Sequence, residues 1–159
     1  MQELENCAHA HGIQIQTNIN DQDTWLNILL THCIEPHLGQ KQPCFIYDFP
    51  ASQAALARIQ SGCPSLASRF EVYIKGIEIA NGFHELQDAK EQRLRFEKNL
   101  TERKNKGLPE LTIDEHFLAA LEHGLPNCAG VALGIDRLIM LATESTQLAQ
   151  VISFDHESI

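Results

Sequence analysis

The chain has 159 residues, 43% of them hydrophobic, which is enough for one globular domain with a buried core. Its 12 basic and 21 acidic residues give a formal charge of -9, so the surface as a whole repels phosphate backbones and argues against broad nucleic-acid binding. The sequence contains no apolar run near the roughly 20 residues of a membrane span and does not start like a signal peptide, so we expect a cytoplasmic protein without a membrane partner.

The first third of the chain predicts helices followed by a strand. Residues 3–11 have weak helical periodicity, and residues 23–37 form a clear amphipathic pattern with Asp23 as the predicted N-cap. Residues 44–49 predict a short buried strand, because they are mostly apolar and aromatic. Residues 51–60 are compatible with a short helix.

Residues 69–86 predict two antiparallel strands with unusual polar insertions. A turn at Lys75-Gly76 would pair the strands on either side of it. The alternative is a turn at Asn81-Gly82, which is the stronger general hairpin signal. The sequence pattern alone leaves both parses open.

The second half predicts helices around one glycine-containing strand. Asp88 is the predicted N-cap of a long polar helix that runs to about residue 106. A capping box at residues 112–115 predicts a helix that ends at about residue 123. A strand at 128–135 and a helix at 136–142 follow, before a small helix near the C-terminus.

Polar residues on the two central strands form the first candidate site. With a turn at Lys75-Gly76, strand alternation places Glu71 and Glu78 on one face and Asn81, Phe83 and Glu85 on the other. Two neighbouring carboxylates repel each other unless a cation lies between them, and Mg²⁺ would meet that need. The second group supplies an amide, an apolar wall and an anion, which suit an amino acid with a cationic side chain. A solvated polar strand face is the alternative interpretation.

The second candidate is the segment Gly130-Val-Ala-Leu-Gly134-Ile-Asp-Arg137. Glycines on a strand let a flat ligand approach the backbone, and an arginine in the following helical turn can stack on a base or bind a phosphate. Close packing of the strand on the helix explains the same spacing without a ligand.

Three segments together resemble class II lysyl-tRNA synthetases and, more closely, their bacterial paralogues, the elongation factor P lysine ligases. They are Glu78-Ile-Ala-Asn-Gly-Phe-His-Glu-Leu86, Ala120-Leu-Glu-His-Gly-Leu-Pro126 and Gly130-Val-Ala-Leu-Gly-Ile-Asp-Arg137. The resemblance covers about residues 23–155. It implies an α+β fold with an antiparallel sheet flanked by helices. It also implies ATP-dependent activation of lysine or β-lysine as an adenylate, with transfer to elongation factor P or, in a synthetase, to tRNA-Lys.

The resemblance assigns the nucleotide side of the site residue by residue. Glu71 and Glu78 match the carboxylates that bind Mg²⁺ and ATP. Gly134 and Arg137 match the third class-defining motif at residues 130–137, which binds ATP. Arg137 is expected to pack at the adenine, to reach the terminal phosphate of a bent ATP, and to act as the catalytic residue.

The resemblance also assigns the amino-acid pocket. Asn81, Phe83 and Glu85 match its lining, with Glu85 paired to the distal ammonium of the substrate. Ala132 replaces a glycine of lysyl-tRNA synthetases, as it does in the ligases, and an added methyl group there can bias which isomer fits. One shared pocket for all these residues requires a bulge or twist between Glu78 and Asn81, because regular alternation separates the two groups.

The family's first and second motifs have no counterpart in this sequence. The first builds the dimer interface, and the second carries the arginine that binds the α-phosphate. We therefore expect residues 1–159 to be the C-terminal portion of a catalytic domain, inactive alone and able to self-associate through an uncovered surface. A fragment of a true lysyl-tRNA synthetase and a non-catalytic interaction module are the alternatives.

Overall fold

The structure, a computed structural model, describes residues 1–15, 19–63 and 65–154. Its strands form one antiparallel sheet in the order β1-β2-β3-β4, with β1 at Cys44–Pro50, β2 at Leu66–Ile74, β3 at Ile77–His84 and β4 at Ala129–Leu133. The α-helices within these ranges are α1 at Gln2–Ala10, α2 at Gln22–Leu29, α3 at Ala89–Asn105, α4 at Glu115–His123 and α5 at Ile135–Ala142. This arrangement confirms the predicted α+β class.

The turn between β2 and β3 lies at Lys75-Gly76, which decides between the two predicted parses. Both residues have positive φ, 51° and 77°, as the central positions of a tight hairpin turn require. Ile74 pairs with Ile77 directly beside the turn. The competing turn residues, Asn81 and Gly82, lie inside β3 instead.

A bulge at Ile79 interrupts the pairing of β2 with β3. Tyr73 faces Glu78, but the next residue of β2, Val72, faces Ala80, so Ile79 has no counterpart on β2. Ile79 and Ala80 are consecutive and both buried, which regular alternation would not allow. The bulge between Glu78 and Asn81 that a shared pocket requires is therefore confirmed, and the placement of the two groups on opposite faces was wrong.

The helix predicted at residues 23–37 is built from three different turns. The α-helical part ends at Leu29, a π-helical turn covers Leu30–Ile34, and a 3₁₀ turn covers Glu35–His37. The N-cap is Asp21 rather than Asp23, because the Asp21 carboxylate accepts hydrogen bonds from the Asp23 amide and, at 2.6 Å, from the Thr24 hydroxyl. The bond from Thr24 also lowers the pKa of Asp21.

Strand β1 lies at the edge of the sheet and is not buried as predicted. Phe45 and Tyr47 are 59% and 69% exposed, because one face of this strand is open. The predicted helix at 51–60 is reduced to a 3₁₀ turn at Ala51–Gln53. The following residues form isolated bridges, Ala57 to Glu85 and Ile59 to Ala67.

The later helices follow the predictions with small shifts. Asp88 caps α3 as predicted, accepting hydrogen bonds from the amides of Lys90 and Glu91. Helix α4 is capped by Asp114 rather than by the predicted Thr112, because the Asp114 carboxylate accepts from the Phe117 amide at 2.9 Å. Strand β4 and helix α5 lie where the sequence places them, although β4 is shorter than predicted.

An apolar surface covers β4 and α5. Within the described part of the chain, β4 pairs only with β3, so its outer edge carries free backbone groups. Large apolar side chains that are at least 40% exposed form this β4–α5 face: Val131, Leu133, Ile135, Leu138 and Ile139. An open strand edge beside exposed apolar side chains favours association with another surface. None of the helices in the described ranges has the length and apolar character to cross a membrane.

We expect the isolated chain to self-associate through the β4–α5 face. Val131→Lys should weaken this association about tenfold, because it removes an apolar side chain and adds a charge at a strand edge. Sedimentation velocity over a range of protein concentrations measures the effect. Leu94→Lys is the matched control, since Leu94 is 65% exposed on α3, away from this face. A wild-type chain that stays monomeric at high concentration contradicts the prediction.

Candidate functional site

Facing residues of β2 and β3 form one polar surface of the sheet. The Ile79 bulge brings them to the same side. Its one extra residue shifts the alternation of the β3 side chains by one position, so that Asn81 and Phe83 lie on the same face as Glu78. The facing pairs are Arg69 with Phe83, Glu71 with Asn81, and Tyr73 with Glu78. We call this surface the β2–β3 polar face.

Glu71 lies at the centre of the polar face and is only 6% exposed. Its Oε1 atom accepts hydrogen bonds from the Arg69 guanidinium and, at 3.2 Å, from the Asn81 amide. Its Oε2 atom accepts a bond of 2.7 Å from the Tyr73 hydroxyl. A buried carboxylate is unfavourable unless such donors replace its lost water, and these three contacts supply them.

Arg69 is a central residue that the sequence interpretation missed. Its guanidinium forms an ion pair with Glu71 and donates to the backbone oxygen of Gln53 at 2.8 Å. It lies over the Phe49 ring at 4.4 Å and near the Phe83 ring at 5.9 Å, both measured to the ring centroid. Arg69 stands two residues before Glu71, so strand alternation alone could have placed both on one face.

Tyr73 and Glu35 were also missed. Tyr73 is 1% exposed, and its hydroxyl lies 2.7 Å from Glu71 Oε2 and 3.2 Å from Glu35 Oε1. Burial, together with the hydrogen bond to the Glu71 carboxylate, raises the pKa of Tyr73 well above its usual value. The phenol therefore stays protonated and remains a donor. Glu35 comes from the 3₁₀ turn, and no local sequence pattern connects it to the strands.

Two cavities meet at Glu78. The carboxylate cavity, about 390 Å³, is lined by residues that include Glu35, Arg69, Glu71, Tyr73 and Glu78. The arginine cavity, about 340 Å³, is lined by residues that include Glu78, Asn81, Ala132, Gly134 and Arg137. The structure therefore brings together six of the predicted site residues, which are Glu71, Glu78, Asn81, Ala132, Gly134 and Arg137.

Arg137 connects the start of α5 to β3. Its guanidinium donates to the Glu78 backbone oxygen at 2.7 Å and lies 3.6 Å from a Glu78 carboxylate oxygen. The Gly134 amide donates to the Ile79 backbone oxygen at 2.9 Å, immediately beside the bulge. Half of the Arg137 side chain is exposed, so the guanidinium remains accessible to an anionic ligand.

Phe83 and Glu85 lie further along the polar face, beyond the lining of these two cavities. Phe83 faces Gly130 across the β3–β4 pairing. The Glu85 carboxylate lies directly over Gly130, where an added methyl group would overlap one of its oxygens. Arg58 donates to the Glu85 backbone oxygen at 2.6 Å. The absence of a side chain at Gly130 thus provides the space that the Glu85 carboxylate occupies.

The carboxylates of the polar face can be compared with what the predicted magnesium site requires. In the described ranges, no group of three or more His, Cys, Asp or Glu side chains is placed to hold a metal ion. Glu71 and Glu78 nevertheless line one cavity, which suits a Mg²⁺ held by one or two carboxylates together with ligand phosphates. In the structure Arg69 compensates Glu71 and Arg137 lies beside Glu78, so the two carboxylates are already relieved of mutual repulsion by guanidinium groups.

Comparison with known proteins places this geometry in context. The family model for tRNA synthetases class II (D, K and N) matches residues 3–158. The elongation factor P--(R)-beta-lysine ligase of Proteus mirabilis is 60% identical over 134 residues, which are 84% of this chain and 41% of that protein. The ligase of the same name from Pectobacterium carotovorum is 52% identical over 156 residues, 98% of this chain and 48% of that protein. The chain thus spans about half the length of the curated relatives it matches.

We expect Arg69→Met to destabilise the fold by about 3–5 kcal/mol, because it leaves the buried Glu71 carboxylate without its guanidinium partner. Urea unfolding followed by circular dichroism measures this change. Arg93→Met is the matched control, since Arg93 pairs with Glu115 at the surface, where solvent screens the charges. Equal loss of stability in the two variants would contradict the role given to Arg69.

Proposed function

This chain belongs to the class II tRNA synthetases (D, K and N), and from that premise we propose that it carries part of the site of an ATP-dependent ligase. The proposed substrates are ATP and lysine or β-lysine, activated as an adenylate, and the proposed acceptor is elongation factor P. The observation that carries the proposal is the Ile79 bulge, which gathers carboxylates, an amide and the Arg137 guanidinium at adjoining cavities.

The proposed chemistry needs no nucleophile from the protein. An oxygen of the amino-acid carboxylate bonds to the α-phosphorus of ATP, and pyrophosphate leaves with the electron pair of the broken bond. The protein contributes positioning and charge stabilisation. Arg137 is the proposed catalytic residue and, with Gly134, binds the nucleotide. Glu71 and Glu78 would hold Mg²⁺, which supplies positive charge to the phosphates when it is bound.

The amino-acid subsite is proposed at the far end of the polar face. Glu85 would pair with the distal ammonium of the substrate, and its position over Gly130 supports that assignment. Asn81 and Phe83 would supply an amide and an apolar wall. Ala132 lines the adjoining cavity, so its methyl group would bias the choice between lysine and β-lysine without creating the reaction.

Elongation factor P is proposed as the acceptor because relatives at 52–60% identity carry it in their names. The second candidate is tRNA-Lys, as in a lysyl-tRNA synthetase. Ala132 and the formal charge of -9 favour the first candidate, since an acidic surface gains little from a polyanionic partner. The chain is proposed to correspond to the C-terminal portion of the catalytic domain, with the third motif at residues 130–137.

We expect Glu85→Ala to weaken binding of lysine or β-lysine about tenfold or more, because the ammonium loses a charge-assisted partner. Isothermal titration calorimetry with each amino acid measures the affinity. Glu97→Ala is the control, as it removes an exposed carboxylate on α3 and leaves the polar face unchanged. The assignment fails if the wild-type chain binds neither amino acid, or if the two variants bind equally.

We also expect the 159-residue chain alone to form no adenylate, because the arginine of the second family motif has no counterpart in its sequence. Pyrophosphate exchange into ATP, measured with lysine and with β-lysine, should not exceed the rate of the Glu85→Ala variant. A clear excess over that variant would refute this expectation and would show that residues 1–159 contain a complete activation site.

A further inference from the structure

The two oxygens of the Glu71 carboxylate are held by different groups. Arg69 and Asn81 both donate to Oε1. In the described parts of the chain, the hydrogen-bond partner of Oε2 is the Tyr73 hydroxyl, at 2.7 Å. Because rotation about the Cγ–Cδ bond moves both oxygens together, a donor on Oε2 adds to the restraint that the two donors on Oε1 already impose. Tyr73 therefore holds the Oε2 side of the carboxylate in place.

The Tyr73 hydroxyl also has a second acceptor. It lies 3.2 Å from Glu35 Oε1, and a phenol has only one proton to donate. The shorter contact to Glu71 receives that proton, and Glu35 competes for it. The charged groups around the phenol are Glu71 and Arg69 from β2, Glu78 from β3 and Glu35 from the 3₁₀ turn, all of which line the carboxylate cavity.

We infer that Tyr73 is a positioning residue that orients the Glu71 carboxylate, and that Glu35 opposes it as a competing acceptor of the same proton. Neither residue carries a site assignment from the sequence interpretation, and their contact joins positions 38 residues apart in the chain. The inference extends the site to the turn at Glu35–His37. Its consequence for ligand binding rests on the proposed function, whereas the hydrogen-bond arrangement does not.

The arrangement is tested first without any ligand. The Tyr73 hydroxyl proton should give a slowly exchanging, downfield proton resonance in NMR spectra of chain labelled with ¹³C-tyrosine, because it is buried and bonded to a carboxylate. Tyr47, which is 69% exposed, is the other tyrosine and serves as the internal reference. In the Glu35→Gln background, where the competing acceptor is neutral, Glu71→Gln should move the resonance upfield, since a neutral amide is the weaker acceptor. Glu35→Gln should leave it downfield, because the stronger bond to Glu71 persists.

The effect on ligand binding is tested second, by calorimetric titration with ATP in the presence of Mg²⁺. Tyr73→Phe should weaken binding about tenfold, because the Glu71 carboxylate loses the donor that holds Oε2 in place. Tyr47→Phe is the matched control and should bind as the wild type does. Glu35→Gln should bind more tightly than the wild type, because Tyr73 then donates to Glu71 with a weaker competitor. This gain should disappear in the Tyr73→Phe background, which a purely structural role of Tyr73 would not produce.

The two measurements separate the inference from the proposed function. A hydroxyl resonance that Glu71→Gln leaves unchanged in the Glu35→Gln background overturns the inference. So does a Tyr73→Phe variant that binds ATP with Mg²⁺ as the wild type does. If the wild-type chain binds no ATP while the resonance responds as expected, the proposed function fails and the positioning of Glu71 by Tyr73 stands.

Discussion

The carboxylate of Glu71 is buried, and a buried charge persists only where donors replace the water it has lost. Arg69 and Tyr73 reach it along its own strand, since strand alternation places residues two apart on one face. The third donor, Asn81, comes from the neighbouring strand and reaches Glu71 only through the Ile79 bulge. The register of β2 against β3 and the polar residues of this face therefore serve the same need, which is to supply donors to the buried Glu71 carboxylate.

Sequence reasoning recovered those features that depend on local chemistry. The cap at Asp88 was predicted, because cap preferences act over a few residues, whereas turn preferences left Lys75-Gly76 and Asn81-Gly82 open as alternatives. The bulge was predicted because two expectations disagreed. Family resemblance places Glu78 and Asn81 in one pocket, whereas regular strand alternation places them on opposite faces, so one interruption of the alternation was required. The α+β class followed from the family resemblance, which implies an antiparallel sheet flanked by helices.

Other features depend on contacts between distant segments, and the sequence could not supply them. Glu35 meets Tyr73 across 38 residues of chain, and nothing in its own neighbourhood marks it as part of a site. The exposure of β1 depends on its place at the sheet edge, which its apolar composition conceals. Arg69 was missed for a different reason: relief of the repulsion between carboxylates was attributed to a bound cation, whereas the Arg69 guanidinium on the same strand also compensates the charge of Glu71.

The Ile79 bulge has a consequence for how the chain tolerates change. Its effect on the site comes from the number of residues between Glu78 and Asn81 and not from the chemistry of the Ile79 side chain. A change that removed the bulge but kept both intervening residues would keep every functional group and yet turn Glu78 and Asn81 to opposite sides of the sheet. The site is thus encoded in the pairing of the two strands as well as in residue type, and a change in that pairing can disable the site without altering any of its functional groups.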